Sequence, residues 1–497
     1  MRMQSFFIFL ATVTIITSGC RLTAARKNSA DIPNTMEQSI VYLQTASYGY
    51  EQSQPWKNKD ISDGWSCGTA VGKYEVITPA WNVANISFIK ARRHGQNKFI
   101  NAKIKVVDYE SNLCLIELDP NTMSVPLTPL VFIEEFHKGV EAAFYWLSSN
   151  NDLYSGRGFL DRTRIEKTST SFEDRLDYIV ANTSASTGIG QVYCSGAKPI
   201  GIACWSNDNK EAGIIPGERI NRFLTQTAAK DYKGFGTVGF STSELLDPAM
   251  RSFLHIPASL QNGVYVDDIY TLGTGSDVLK KADVILSIDG HTLNPHGLYK
   301  HPKYKEINYS HLITSKAAGD KVIFELWRNG TKQQAEAEVK NFKASQMLVP
   351  YQEFDRQPEY IISGGFVFQK LTREYLAQWG ENWQGKVLPH LYHYYSDLAF
   401  KPTPERSDIV MLSYVLPTPF NLGYHDLRQL VVKKFNGMAI RSIHDIPAAQ
   451  KLNPDSKYDV IEFELDNPTV VIDREQLPAA DMLTGRLYEI PKLVNIN

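Results

Sequence analysis

Between residues 38 and 215 the chain is a succession of short apolar runs, among them "SIVYLQTASYG", "YEVITPA", "NLCLIELD", "AAFYWLSS" and "PIGIACW". Gly, Asn, Asp and Ser cluster between these runs. Alternating strands this short and this evenly punctuated suit an all-β barrel or sandwich, and leave little room for helices. A helix follows, with Pro216 in its first turn and Ile220, Phe223, Leu224 and Thr227 on one face. With 497 residues the chain is too long for one core, and about three domains are expected.

Three divisions follow from the pattern: a first unit over 38–228, a second over 235–342, and a third over 360–490, the last two joined by a linker over 343–359. The second unit carries "GVYVDDI", "ADVILSIDG" and "KVIFELWRNG", with a helix expected from Ile307 to Ala317. In the third, "LVVKKFNGMAIRSI" echoes "ADVILSIDGHTLN": an apolar strand, an Asn-Gly or Asp-Gly turn, and an apolar return. The third unit also holds an aromatic insertion, "WGENWQGKVLPHLYHYY", which suits either an oligomer contact or an internal core.

Charge narrows the function classes. A formal net charge of −2, with Lys and Arg dispersed, gives no long-range attraction for nucleic acid. Phosphate-binding loops are absent, since "GTGS" at 273–276 lacks the following Lys. His291, His296, His301 and His311 are spaced for loops rather than for one helical or strand face, so surface histidines and no metal or other cofactor are expected.

The first twenty residues read as an export signal. Arg2 precedes the apolar "FFIFLATVTII", a run shorter than the roughly 20 residues that span a bilayer. "TSGC" then ends at Cys20 and resembles the lipobox of bacterial lipoproteins, in which the Cys is lipidated after cleavage; Thr17 departs from the usual aliphatic residue. The resemblance implies an exported protein anchored by lipid to the outer membrane, tethered by residues 21–37. Of the remaining cysteines, Cys194 and Cys204 flank the hairpin signal "SGAKP" and can face each other across it; with Cys67 and Cys114 they equally suit buried thiols.

Three segments of the first unit bear on chemistry: "TPAWNV" at 78–83, "DYESNLCLIELD" at 108–119 and "STGIGQV" at 186–192. Their framework resembles the trypsin-like domain of the HtrA/Deg (Do-like) serine proteases, and units two and three resemble that family's PDZ domains. The resemblance implies a mainly β fold: a trypsin-like double barrel followed by two PDZ-like domains. Laid on the family's pattern, Trp81 takes the place of the catalytic His, Asn112 that of the Asp, and Gly188 that of the Ser. Hydrolysis by such a triad needs a nucleophilic oxygen, an imidazole to carry its proton and a carboxylate to orient the ring. Glycine has no nucleophile, and an indole N–H donates but accepts no proton at neutral pH. The expectation is a pseudoprotease in which Trp81 fills the vacated space by packing against the cleft wall.

PDZ domains add a peptide as a strand and hold its C-terminal carboxylate on backbone amides. The resemblance places that loop at Val238, Gly239 and Phe240, with Ile307 and His311 lining the groove from the helix, and a second such loop at Gly364, Gly365 and Phe366. Ala282 stands where the family commonly has Gly. The implied partners are protein C-termini or extended segments, with the chain itself a homo-oligomer working in envelope protein quality control. Two alternatives stay open: an active endopeptidase with a rearranged site, and an assembly partner of active Deg subunits.

Overall fold

The computed structural model describes residues 32–496 apart from 59, 169, 209 and 466. The export signal, Cys20 and most of the expected tether lie outside the described residues. Residues 32–37 of that tether belong to the fold: Ile32 is buried, and Met36, on the helix Asn34–Ser39, is only 1% exposed in the barrel core.

The alternating runs form two closed barrels of six strands each. The first comprises Ile40–Ser47, Ser62–Ala70, Glu75–Thr78, Ile86–Arg93, Ile100–Asp108 and Leu113–Leu118. The second comprises Glu141–Leu147, Leu153–Lys167, Asp174–Asn182, Val192–Ser195, Lys198–Ser206 and Glu211–Pro216. Each strand sends alternate side chains inward, so closure buries one face of every strand and leaves no free edge. The helix Gly217–Ala228 then packs Ile220, Phe223 and Thr227 into the barrel, as their spacing predicts.

The second unit is a sheet in the spatial order Phe240–Ser243, Val264–Ile269, Val284–Ile288, Lys321–Arg328 and Thr331–Glu338, which leaves Phe240–Ser243 at an edge. The helix expected from Ile307 to Ala317 is shorter. Lys305–Asn308 is instead a strand paired with Leu298–His301, and only His311–Thr314 is helical. Ile307 is β-branched and lies opposite Tyr299, both buried, so cross-strand packing wins over helical spacing. This hairpin returns His301 toward His311, with ring centroids 5.6 Å apart, and buries His311. The expectation of surface histidines therefore fails at His311.

The third unit orders Val470–Asp473, Tyr458–Phe463, Arg428–Phe435, Val410–Val415, Phe366–Lys370, Tyr360–Ser363 and Val494–Asn495 across one sheet, which runs past residue 490. The echoed hairpins of units two and three match in geometry. Asp289-Gly290 and Asn436-Gly437 all have positive φ, and each pair joins a long strand to a two-residue return. The segment 343–359 is not a free linker, since Ala344, Met347, Leu348 and Val349 are buried with the aromatic insertion. That insertion packs inward: Trp383 is buried, 5.1 Å from Tyr395 between ring centroids.

Candidate functional site

Trp81, Asn112 and Gly188 come together at the junction of the two barrels. Trp81 sits on the single turn Ala80–Val83 after the strand Glu75–Thr78, where Pro79 ends the ladder. Its amide donates to Asn112 Oδ1 at 3.0 Å, and Ala80 N donates to the Asn112 carbonyl at 3.1 Å. Asn112 is buried with φ of 54°, a left-handed conformation that its short carboxamide tolerates. Trp81 does not pack away against the wall as expected. It is 49% exposed, and its ring meets Phe354 edge-on at 6.4 Å.

Gly188 occupies the tightest point. Its φ is +66°, and a Cβ there would stand 2.4 Å from both Ser206 N and Trp205 C. Those are backbone atoms of the strand Lys198–Ser206, so they cannot swing aside. The amides of this loop also turn inward. Thr187 N and Gly188 N donate to Oε1 of the fully buried Gln191 at 3.2 and 3.4 Å, and the Ser186 hydroxyl donates to the same oxygen. In a working triad site the nucleophile's own amide helps hold the oxyanion; the Gly188 amide is engaged by a side chain.

A cleft of 550 Å³ opens beside these residues. Trp65, Trp81, Trp205 and Phe354 line it with hydroxyl and carboxamide groups, and its described lining holds no Asp, Glu, Lys or Arg. Neither His94 nor His137 is among the lining residues. Phe354 belongs to the 343–359 segment, which straps the cleft: it stacks on Tyr109 at 4.1 Å, and Asp355 accepts from the Tyr109 hydroxyl at 2.5 Å and from Asn85 N at 2.8 Å.

In the second unit, the loop at Val238, Gly239 and Phe240 meets a carboxylate from the barrel. Val238 N donates to Glu173 Oε2 at 3.1 Å, and Gly239 N to the Thr274 carbonyl at 2.9 Å. Phe240 is buried with Tyr309 stacked on it at 5.8 Å and 9°, and the Tyr309 hydroxyl lies 3.1 Å from Thr242 Oγ1. Ile307 is buried in its hairpin, and His311 faces Glu218 of the barrel helix at 3.8 Å. Burial first, then His301 and nearby cations, pushes the His311 imidazole down to about 3, so this contact is with a neutral ring and is no ion pair. The third unit repeats the arrangement. Gly364 N donates to Asp481 Oδ1 at 2.6 Å, and Gly365, at φ +88°, packs against the Leu416 carbonyl and Asn421. Its strand Phe366–Lys370 is flanked on both sides, by Val410–Val415 and by Tyr360–Ser363, which leaves no edge beside that loop.

Residues 349–493 match a family model described as a PDZ domain. The chain is 27% identical over 450 residues to Protease Do-like 2, chloroplastic, of Arabidopsis thaliana, covering 89% of this chain and 72% of that protein. It is 24% identical to Protease Do-like 4, mitochondrial, of the same plant, covering 88% and 81%. Over most of its length the chain is similar to the HtrA/Deg (Do-like) proteases, and it carries a PDZ domain. Among solved structures, the HtrA-type protease AlgW with a decapeptide aligns at 15% identity and a TM-score of 0.46, covering 62% of this chain and 97% of that one.

The Do-like framework also carries a buried charged junction that the sequence did not announce. Arg175 is 2% exposed; it donates to the Glu110 and Thr314 carbonyls at 2.6 and 2.8 Å and lies over the Phe235 ring. Burial is the first cause that pushes Glu110 up to about 8 and Glu173 up to about 7. Arg219 pairs with fully buried Asp177 at 2.9 Å. Cys194 lies opposite Pro199 rather than Cys204, whose thiol is directed to Asp177 and the Gly213 carbonyl; all four described cysteines are free thiols. Glu173, Asp481 and Phe354 are not legible in the sequence because each acts across a long chain separation, whereas Gln191 acts on residues three to five positions before it, and no local pattern marks its side chain as turned back onto them. The one local hint was "TSFEDR" at 170–175, two acids and an arginine beside an aromatic in a barrel loop.

Proposed function

We propose that this Do-like protein holds polypeptide without cutting it: a PDZ protein whose trypsin-like barrel serves as a binding body. Gly188 carries the reading. The position aligned with the nucleophile has no room for any Cβ and turns its amide onto Gln191. Trp81 and Asn112 at the aligned acid–base and orienting positions supply neither a proton acceptor nor a carboxylate. The neutral, aromatic cleft and the first PDZ-like loop, beside the strand edge at Phe240–Ser243, are the surfaces offered to extended segments and C-termini. On this reading the protein works in envelope protein quality control, exported and anchored through Cys20.

Incubation with a fluorescent unfolded casein tests the proposal. Retention of the casein on immobilised protein with no release of small fragments is the expected result. Fragment release that disappears on Trp81→Ala or Gln191→Ala substitution would show a working rearranged site instead. Labelled palmitate entering the wild type and not Cys20→Ser is the expected result for the anchor.

A further inference from the structure

Both PDZ-like loops of this chain are already holding a carboxylate, and each carboxylate is the chain's own. Asp481, on the helix Leu477–Leu487, does so within the third unit, where the neighbouring strand is sealed on both sides. Glu173 does so between units, reaching from the barrel to Val238 N. Beside it, among the described residues, the strand Phe240–Ser243 pairs only with Val264–Ile269 and its outer side is an edge. The first PDZ-like loop is therefore capped while its strand edge stays free.

We propose that Glu173 is a built-in competitor for the carboxylate site of the first PDZ-like unit, so that a C-terminal peptide enters only when the Glu173 segment withdraws. The inference rests on reading that unit as peptide-accepting. The chemistry is like for like: an amide of a Val-Gly-Phe loop receives a carboxylate oxygen, and Tyr309 lies on Phe240 beside it as an aromatic terminal side chain of a peptide would. The segment is built to keep the cap in place. Ser171 Oγ accepts from Glu173 N at 3.0 Å and donates to Glu110 Oε2 at 2.9 Å. Phe172 stacks on Phe342 at 4.8 Å, and Arg175 ties the same stretch to the Thr314 carbonyl of the second unit. A peptide must therefore displace a buried carboxylate, and its apparent affinity falls by the fraction of molecules in which the loop is uncapped. Withdrawal of Glu173 from Val238 N gives up a contact between the barrel and the second unit, so peptide capture and that docking contact oppose each other.

The test uses the full chain and twenty fluorescein-labelled decapeptides that differ only in the last residue, each made with a free and an amidated C-terminus. Anisotropy titrations compare wild type, Glu173→Ala and Glu173→Gln, with the near-isosteric Gln variant guarding against simple misfolding. The expected result is that both variants bind at least one free-carboxylate peptide about tenfold or more tighter than wild type, with no gain for its amidated twin. Equal affinities for wild type and variants, no binding by either, or equal gains for amidated peptides overturn the proposal. These outcomes leave the non-cleaving barrel standing. Casein cleavage, in contrast, sinks that reading and leaves the Glu173 contact to be judged on the peptides alone.

Discussion

Substituting Gly188→Ser supplies, at the position aligned with the nucleophile, the atom on which a serine protease depends, and the structure predicts that the barrel rejects it. The residue would be an L-amino acid at φ +66°, a left-handed strain of about 1–2 kcal/mol. Its Cβ would also stand 2.4 Å from Ser206 N and Trp205 C, which must shift at an overpacking cost of about 1–3 kcal/mol. Together the cost is about 2–5 kcal/mol, which lowers the melting midpoint of a barrel of this size by about 4–20 °C. Gly196→Ser is the control, because Gly196 has φ of +59° and nothing within 4 Å of its would-be Cβ, so it carries the strain without the clash. Circular-dichroism melts compare the two. A Gly188→Ser drop no larger than that of Gly196→Ser would refute the packing argument, as would activity in a Trp81→His, Asn112→Asp, Gly188→Ser triple variant.

Ala282 holds a φ of +70°, so Ala282→Gly is expected to raise the stability of the second unit by about 0.5–1 kcal/mol, the relieved strain less the added unfolded-state freedom; a lower melting midpoint contradicts this. Glu110 and Glu173, raised from 4.5 to about 8 and about 7, bind more protons folded than unfolded between these limits, so their contribution is full below about pH 4.5 and is lost as pH rises to about 8. The charged groups around them are Asp108, Asp174, Arg175 and Lys167. Melts from pH 5 to 8 should show a falling midpoint, with a shallower fall in Glu110→Gln, and an unchanged slope in that variant counts against the assignment. Cys67 and Cys194, pushed by burial up to about 12, should resist a thiol reagent until the fold is melted, and rapid labelling of the native protein contradicts their packing.

Much of the architecture is legible along the chain because it is written in local chemistry. Alternation gives the barrel strands, the Asp-Gly and Asn-Gly pairs give the matching hairpins of units two and three, and the period of Ile220, Phe223 and Thr227 gives the one long barrel helix. The errors have tertiary causes. Ile307 fits a helical face, yet opposite Tyr299 it is better buried as a strand. Trp81 was expected to pack inward, but Phe354, 273 positions away, meets its ring at the cleft mouth and leaves it half exposed. Glu173 is an acid among several until the fold brings it to Val238. The candidate residues Trp81, Asn112 and Gly188 do converge; Gln191, although only three to five positions from the amides and hydroxyl it holds, is not marked by any turn pattern in the loop 186–191.

The central claim is that the barrel keeps a protease scaffold without a nucleophile. Treatment of the full-length protein with a serine-reactive fluorophosphonate, followed by peptide mass mapping, tests it most directly. No adduct on any serine from 38 to 228 is the predicted result, under conditions in which an active trypsin-like enzyme labels fully. Stoichiometric modification of one serine in that span, lost on denaturation, would contradict it.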